Sequence, residues 1–384
     1  MNKSPSKDGD ATSQEVRTVQ ILRGLAALIV MIGHTVGKLK HEYSQEAMPD
    51  LFLSIWKVSA LGVDVFFILS GIVMVLVTRD SQNKSNDIKC FVIKRVFRIY
   101  PIYWLAFIAY LSLLSLSNML NTQPLLGHVE LQPLITSLLL LPTTNNGSYY
   151  PYLGIAWTLV FEMFFYMVYA ALLTLKIQSR LLTLNIIFVF LALTNFVLSS
   201  TFSSAYIHYY TNPIILEFIA GCWIGYLYKK GVLLGKTLAI PLAIIALILL
   251  SLSSHLEAPY VSFYNLNPWR FIIWGMPSIM LVYAIVSSEH LFQANAFRPM
   301  VALGNASYSL YLFHAALFLP VLGLIFSTLD VYAYIDVYTS TAVLSILCIA
   351  GSYLIYSLIE RPLASILKRR MLCNEDTLSP QNRV

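Results

Sequence analysis

The sequence predicts an all-α, polytopic membrane helix bundle of about ten transmembrane helices with both termini cytoplasmic. Three observations predict it. Of 384 residues, 58% are hydrophobic and only 11% charged, with a mean hydropathy of +0.70, whereas a soluble domain carries roughly 25% charged residues. Apolar runs near the ~20 residues that a spanning helix needs recur along the whole chain. One orientation also gathers nearly all basic residues on one side of the membrane.

Taken in order, residues 1–18 form a polar, cytoplasmic lead (MNKSPSKDGDATSQEVRT) without the pattern of a cleaved signal. The transmembrane domain runs over 19–362, with apolar segments at 19–38, 58–78, 97–117, 155–175, 181–200, 212–230, 237–254, 270–288, 306–327 and 338–359. A shorter run at 131–142 cannot span and is expected to be re-entrant or interfacial. Residues 363–384 form a basic and polar cytoplasmic tail. With the N-terminus inside, the outside Lys and Arg are Lys38, Lys40, Lys57 and Arg270, and all others are inside. The segment 118–154 then lies outside; it has no Lys or Arg and contains PTTNNGSYYPY, the composition of a shaped loop. The net charge of +6 records this loop bias. No clustered basic face with stacking aromatics points to nucleic acid, and the four cysteines show no metal-ligand spacing.

Ionisable residues inside spans are costly and usually face the bundle interior or a water path, so they carry the functional information. Arg23 and His34 lie eleven residues apart on the first span; at ~100° and ~1.5 Å per residue they share a face roughly 16 Å apart. Arg95 and Arg98 share a face at the start of the third span beside Lys94, and guanidinium forks match phosphate geometry. Pro101 is expected to break that helix. Asp64 sits at the outer end of the second span. Thr158, Glu162 and Tyr166 form one stripe on the fourth, and Glu217 lies near the outer end of the sixth. Ser307, Tyr311 and His314 share a face of the ninth, with Tyr308 beside them; Tyr353, Tyr356 and Glu360 share a face of the tenth. This topology puts His34, Asp64, Glu162 and Glu217 in the outer half, and Arg23, Arg95, Arg98 and Glu360 in the inner half.

The chain resembles the acyltransferase-3 family of integral membrane O-acyltransferases. The resemblance is carried, in family order, by ILRGLAALIVMIGHT, GVDVFFILSGIVM, KRVFRIYPIYWL, AWTLVFEMFFY, LGNASYSLYLFH and IERP, from about residue 19 to 362. It implies acyl-CoA, usually acetyl-CoA, as cytoplasmic donor and a hydroxyl of a surface glycan or lipid-linked sugar as acceptor. It implies that His34 is catalytic and that Arg23, Arg95 and Arg98, with Lys94 nearby, form the donor path. Relatives with an extracytoplasmic SGNH-type domain differ from this chain, which is expected to lack one, leaving room for a separate extracytoplasmic transferase as partner. The implied location is the bacterial cytoplasmic (inner) membrane.

An imidazole titrates nearest neutral pH, so His34 is expected to act as general base on the acceptor hydroxyl, or to carry the acyl group itself. Glu162 or Asp64 is expected to orient its ring. Glu217, Tyr308, His314 and Glu360 are the candidate substrate-binding residues, and no metal is expected. The rival reading is a proton-coupled transporter of a lipid or sugar, since intramembrane His, Glu and Arg serve that equally well.

Overall fold

The computed structural model describes residues 16–78, 85–119, 130–145, 148–177, 179–201, 204–256 and 269–370. Much of the polar lead and tail therefore lies outside the described residues, as do Arg79, Lys84 and part of the outer loop. Everything described is helical or loop, apart from one bridge between Asn145 and Ser148. The helices are α1 (Arg17–Leu39), α2 (Asp50–Val58), α3 (Leu61–Val77), α4 (Ser85–Met119) and α5 (Leu131–Leu138). Next come α6 (Trp157–Thr174), α7 (Arg180–Thr201), α8 (Ala205–Tyr210), α9 (Leu216–Lys229), α10 (Lys236–Ser253) and α11 (Met276–Ser287). The chain closes with α12 (Arg298–Asn305), α13 (Ser307–Phe313), α14 (Leu319–Thr328), α15 (Val337–Ile355) and α16 (Arg361–Arg370).

Among the described residues, seven helical stretches are long and apolar enough to cross a membrane: Arg17–Leu39, Asp50–Val77, Ile88–Ser117, Gly154–Thr174, Lys236–Ser253, Ser307–Thr328 and Val337–Ile366. The other three expected spans are helical at the expected places; α7 covers 181–200 in full, and the other two are shorter. Their apolar stretches are Arg180–Asn195 in α7, Phe271–Ser287 around α11, and the 14 residues of α9.

α1 is the helix that other elements surround; it packs against α2, α3, α12, α13 and α15. Val16 offers its first turn no side-chain cap. Glu289 does so from a distance: its carboxylate accepts from the backbone N–H of Arg17 and of Thr18, each at 3.0 Å, and from the Thr18 hydroxyl. That satisfies orphan donors and places a negative charge at the positive end of the helix dipole. Where helices cross closely, glycine permits it. A Cβ on Gly221 of α9 would come within 1.9 Å of the Ile68 carbonyl oxygen, and one on Gly71 of α3 within 2.1 Å of the Phe218 oxygen. Gly221 and Gly225 form the small-xxx-small spacing that brings membrane helices into backbone contact.

The short run at 131–142 folds as α5, eight residues long. Its last carbonyls are taken by the aromatic donors of YPIYW on α4: Tyr103 hydroxyl to Ser137 O (2.6 Å), Trp104 Nε1 to Leu138 O (3.0 Å) and Tyr100 hydroxyl to Leu139 O (2.8 Å). Pro101, in the midst of these donors, does not break the helix; α4 runs through it. Proline is tolerated inside membrane helices where neighbours support the freed backbone groups.

Among the described residues, three π-helical turns interrupt the later helices: Phe271–Gly275, His314–Phe318 and Tyr356–Glu360. Each ends two residues before a proline, namely Pro277, Pro320 and Pro362. In each, the residue just before the proline donates five residues back: Met276 to Phe271, Leu319 to His314, and Arg361 to Tyr356. A proline cannot donate to the carbonyl four residues earlier and its ring crowds that carbonyl, so the preceding turn widens by one residue. This alters the expected stripe on the tenth span: Tyr353 is exposed, whereas Glu360 faces inward and accepts from the Ser309 hydroxyl.

Candidate active site

Among the described residues, two adjoining pockets lie inside the bundle. The larger, about 710 Å³ with the space it shares with solvent, is lined by Arg23, Ser70, Arg98, Thr158, Glu162, Tyr166, Ser307, Tyr308 and Tyr311, with Val63, Phe66, Phe67, Leu69, Val73, Ile99 and Leu159 as its apolar wall. The smaller is a narrow cleft lined by Val30, His34, Ala60, Val63, Ile155, Trp157 and Tyr311. Val63 and Tyr311 line both. The α1 face carrying Arg23 and His34 thus looks into the bundle, one residue into each chamber.

Arg98 lines the larger chamber and is also exposed, so it stands at the mouth. Arg95, one turn earlier, is 9% exposed; its guanidinium lies 5.7 Å from the Phe91 ring and 5.6 Å from the Tyr166 ring, and its Nε has no hydrogen-bond partner. Lys94 is exposed and lines neither chamber. The stripe on α6 points inward as expected. Glu162 accepts from the Tyr166 hydroxyl and from the Ser70 hydroxyl (3.1 Å). The Tyr308 hydroxyl donates to Ile99 O (2.8 Å), which ties α13 to α4.

His34 pairs with His314. His34 Nδ1 lies 2.8 Å from His314 Nε2, and the rings stack with centroids 5.0 Å apart. His314 is fully buried, and its Nδ1 lies 2.8 Å from Leu310 O. Beneath the pair, the Tyr311 hydroxyl donates to Ile155 O (3.0 Å) and sits 2.8 Å from Thr158 Oγ1.

Several expected positions change. Neither Glu162 nor Asp64 is placed against His34. Glu162 shares the chamber of Arg23 and Arg98 because α6 begins deep in the bundle: Pro151, Tyr152 and Leu153 are already buried, and Ile155 and Trp157 stand level with His34. Asp64 is committed to Arg270, whose Nε and terminal nitrogen reach the two carboxylate oxygens at 3.2 and 2.7 Å. Arg270 also donates to Ala60 O (2.9 Å), and its guanidinium lies 5.5 Å from the Trp157 ring and 5.0 Å from that of Trp274. Glu217 is fully buried behind this pair, packed against Gly275, and lines neither chamber; nor does Glu360. His314, expected to bind substrate, contacts His34 instead. Sequence reasoning missed Arg270 and Ser70. A lone Arg between Trp269 and Trp274 at the head of an apolar run was the available sign of the first; Ser70 gave none.

A bundle of membrane-length helices, an arginine-mouthed interior chamber and a histidine pair behind one shared wall define a multi-pass membrane protein built around a buried polar site. The chain belongs to the acyltransferase family: the family's acyltransferase domain matches residues 16–357. It is therefore a membrane acyltransferase. It is 30% identical to the exopolysaccharide production protein ExoZ of Rhizobium meliloti (strain 1021) over 260 residues, which cover 67% of this chain and 76% of that relative. No solved structure matches.

Proposed function

We propose that the protein moves an acyl group, acetyl in the simplest case, from cytoplasmic acyl-CoA to a hydroxyl of a surface glycan or lipid-linked sugar, at the bacterial cytoplasmic membrane. The observation that carries this reading is the shared wall. The chamber of Arg23 and Arg98 and the chamber of His34 meet at Val63 and Tyr311, so a thioester fed in from the arginine mouth stops within a side chain's thickness of an imidazole. The membership of the acyltransferase family supports acyl transfer, and the exopolysaccharide role in the name of the ExoZ relative supports a glycan acceptor.

Arg98 and Arg95 take the anionic phosphates of the coenzyme by charge-assisted bonds, and Arg23 extends the cationic track inward. With the N-terminus inside and ten crossings, this mouth faces the cytoplasm. Basic loop residues favour that orientation, and Arg270, one of the few Lys or Arg left outside, is internally paired with Asp64. The acceptor presents its hydroxyl at the narrow cleft that His34 lines. His34 takes the proton of the acceptor hydroxyl as its oxygen attacks the thioester carbon. A C–O bond forms, the C–S bond breaks, and the proton passes to the departing sulfur, giving the acyl ester and free CoA. General-base assistance of this kind is typically worth 10²–10⁴-fold.

The test is reconstitution of the purified protein in proteoliposomes with labelled acetyl-CoA inside and a glycan acceptor outside. Label in the acceptor and CoA release that requires the acceptor are the expected results. Proton-driven movement of intact acceptor with no CoA release would replace the enzyme by a transporter.

A further inference from the structure

We infer that His314 is a positioning residue that holds His34 in the Nδ1–H tautomer, so that Nε2 is the atom that takes the acceptor's proton. The inference rests on the reading of His34 as general base. A carbonyl oxygen only accepts, so the 2.8 Å contact with Leu310 O places a proton on His314 Nδ1. His314 is fully buried, and its two ring nitrogens meet a backbone carbonyl and another imidazole. With no counter-ion among these contacts, the neutral ring is the stable form, and its Nε2 then holds a lone pair. The 2.8 Å contact across to His34 Nδ1 is consequently donated by His34, and the basic lone pair of His34 resides on Nε2.

The chain fixes His314 by a second device. His314 opens the π turn His314–Phe318, and its carbonyl accepts from Leu319 across five residues. π-bulges recur at functional positions because they re-aim one side chain without ending the helix. In a Ser-His-Asp triad a carboxylate holds the tautomer and steadies the imidazolium. Here the two carboxylates expected in that role are otherwise bound, Glu162 to Ser70 and Tyr166 and Asp64 to Arg270. A neutral imidazole supplies the same acceptor lone pair. When His34 Nε2 gains the hydroxyl proton, Nδ1–H keeps its bond to His314 until the proton leaves with the sulfur.

The experiment compares His314→Phe, which keeps a flat ring and removes the acceptor, with His314→Gln, which returns an acceptor oxygen, and with His34→Ala. His314→Phe should lower kcat about 100-fold, the upper end for loss of an orienting partner, with the KM for acetyl-CoA unchanged. His314→Gln should recover at least tenfold over His314→Phe. Full kcat in His314→Phe, or equal losses in both variants, would overturn the inference. Activity in His34→Ala would overturn the general-base reading instead. A readout independent of turnover is the ¹⁵N spectrum of histidine-labelled wild-type protein in nanodiscs, where His34 should show a protonated Nδ1 and an unprotonated Nε2; the opposite tautomer would also overturn it.

Discussion

Asp64 and Arg270, 206 positions apart in the chain, form a buried bidentate ion pair. The pair joins α3 to the turn before α11 and holds Arg270 under the Trp157 ring. A carboxylate whose sequence position suggested service to His34 is thereby a structural anchor. Breaking one side strands a buried charge, at a cost of about 3–5 kcal/mol, whereas replacing both partners by apolar residues is often nearly neutral. Asp64→Ala should therefore lower the melting temperature of the detergent-solubilised protein sharply, and Asp64→Leu/Arg270→Met should recover most of it. Thermal unfolding followed by size-exclusion fluorescence checks this; equal melting of all forms would remove the pair from the stability argument.

Arg98→Ala and Arg23→Ala should weaken donor binding. A bond to a charged group is worth about 1.5–3 kcal/mol, so acyl-CoA affinity should fall roughly 10- to 150-fold, with acceptor KM little changed. Arg98→Lys should recover only part, since a lysine ammonium lacks the planar fork. Calorimetric titration with CoA measures each.

Tyr311 stands between the chambers. Tyr311→Ala should open the wall and let water reach the thioester, raising acetyl-CoA hydrolysis without acceptor while lowering acceptor-dependent transfer. Tyr311→Phe keeps the wall and loses only the bonds to Ile155 and Thr158, so it should hydrolyse no faster than wild type. CoA release with and without acceptor separates the two.

The α3–α9 crossing has no room for a side chain. Gly221→Val should abolish recovery of folded protein, since its Cβ would meet the Ile68 carbonyl oxygen at 1.9 Å. Gly154→Ala, where nothing lies within 4 Å of the new Cβ, is the matched control and should fold normally.

Asp336 caps α15 from outside the spanning segment. Its carboxylate accepts from the backbone N–H groups of Thr339 (3.0 Å) and Tyr338 (2.8 Å) and from the Thr339 hydroxyl (2.8 Å). The Thr339 backbone bond, followed by the Thr339 hydroxyl, holds its pKa below the usual carboxylate value. A depressed native pKa means that the cap's contribution is present above the unfolded carboxylate pKa and is lost as pH falls through the folded one. Asp336→Ala should therefore fray the first turn of α15 at neutral pH and differ little from wild type in strong acid. Amide exchange at Tyr338 and Thr339 reports it.

Much of this was legible in the chain itself. Helix positions followed from hydropathy because each run had to bury its backbone polar groups internally. The inward face of α1 followed from the eleven-residue step between Arg23 and His34, and that of α6 from the four-residue steps through Glu162. Pairings were not legible. Nothing local marks Arg270 as the partner of Asp64, or His314 as the partner of His34 from 280 positions away. Those contacts depend on which helices cross, and the crossings were set by Gly71, Gly221 and similar small residues whose role appears only when two backbones meet.

A helical wheel drawn straight through Ser307–Thr328 assumes a constant angular step, but the surplus residue between His314 and Phe318 resets the phase by about 100°. Residues after Leu319 present a different side to their neighbours than their spacing from Tyr311 indicates. Pro320 is what locks that offset in place, so a Pro320→Ala helix that relaxed to ordinary winding would turn its whole distal half, or the imidazole of His314, by more than a quarter revolution.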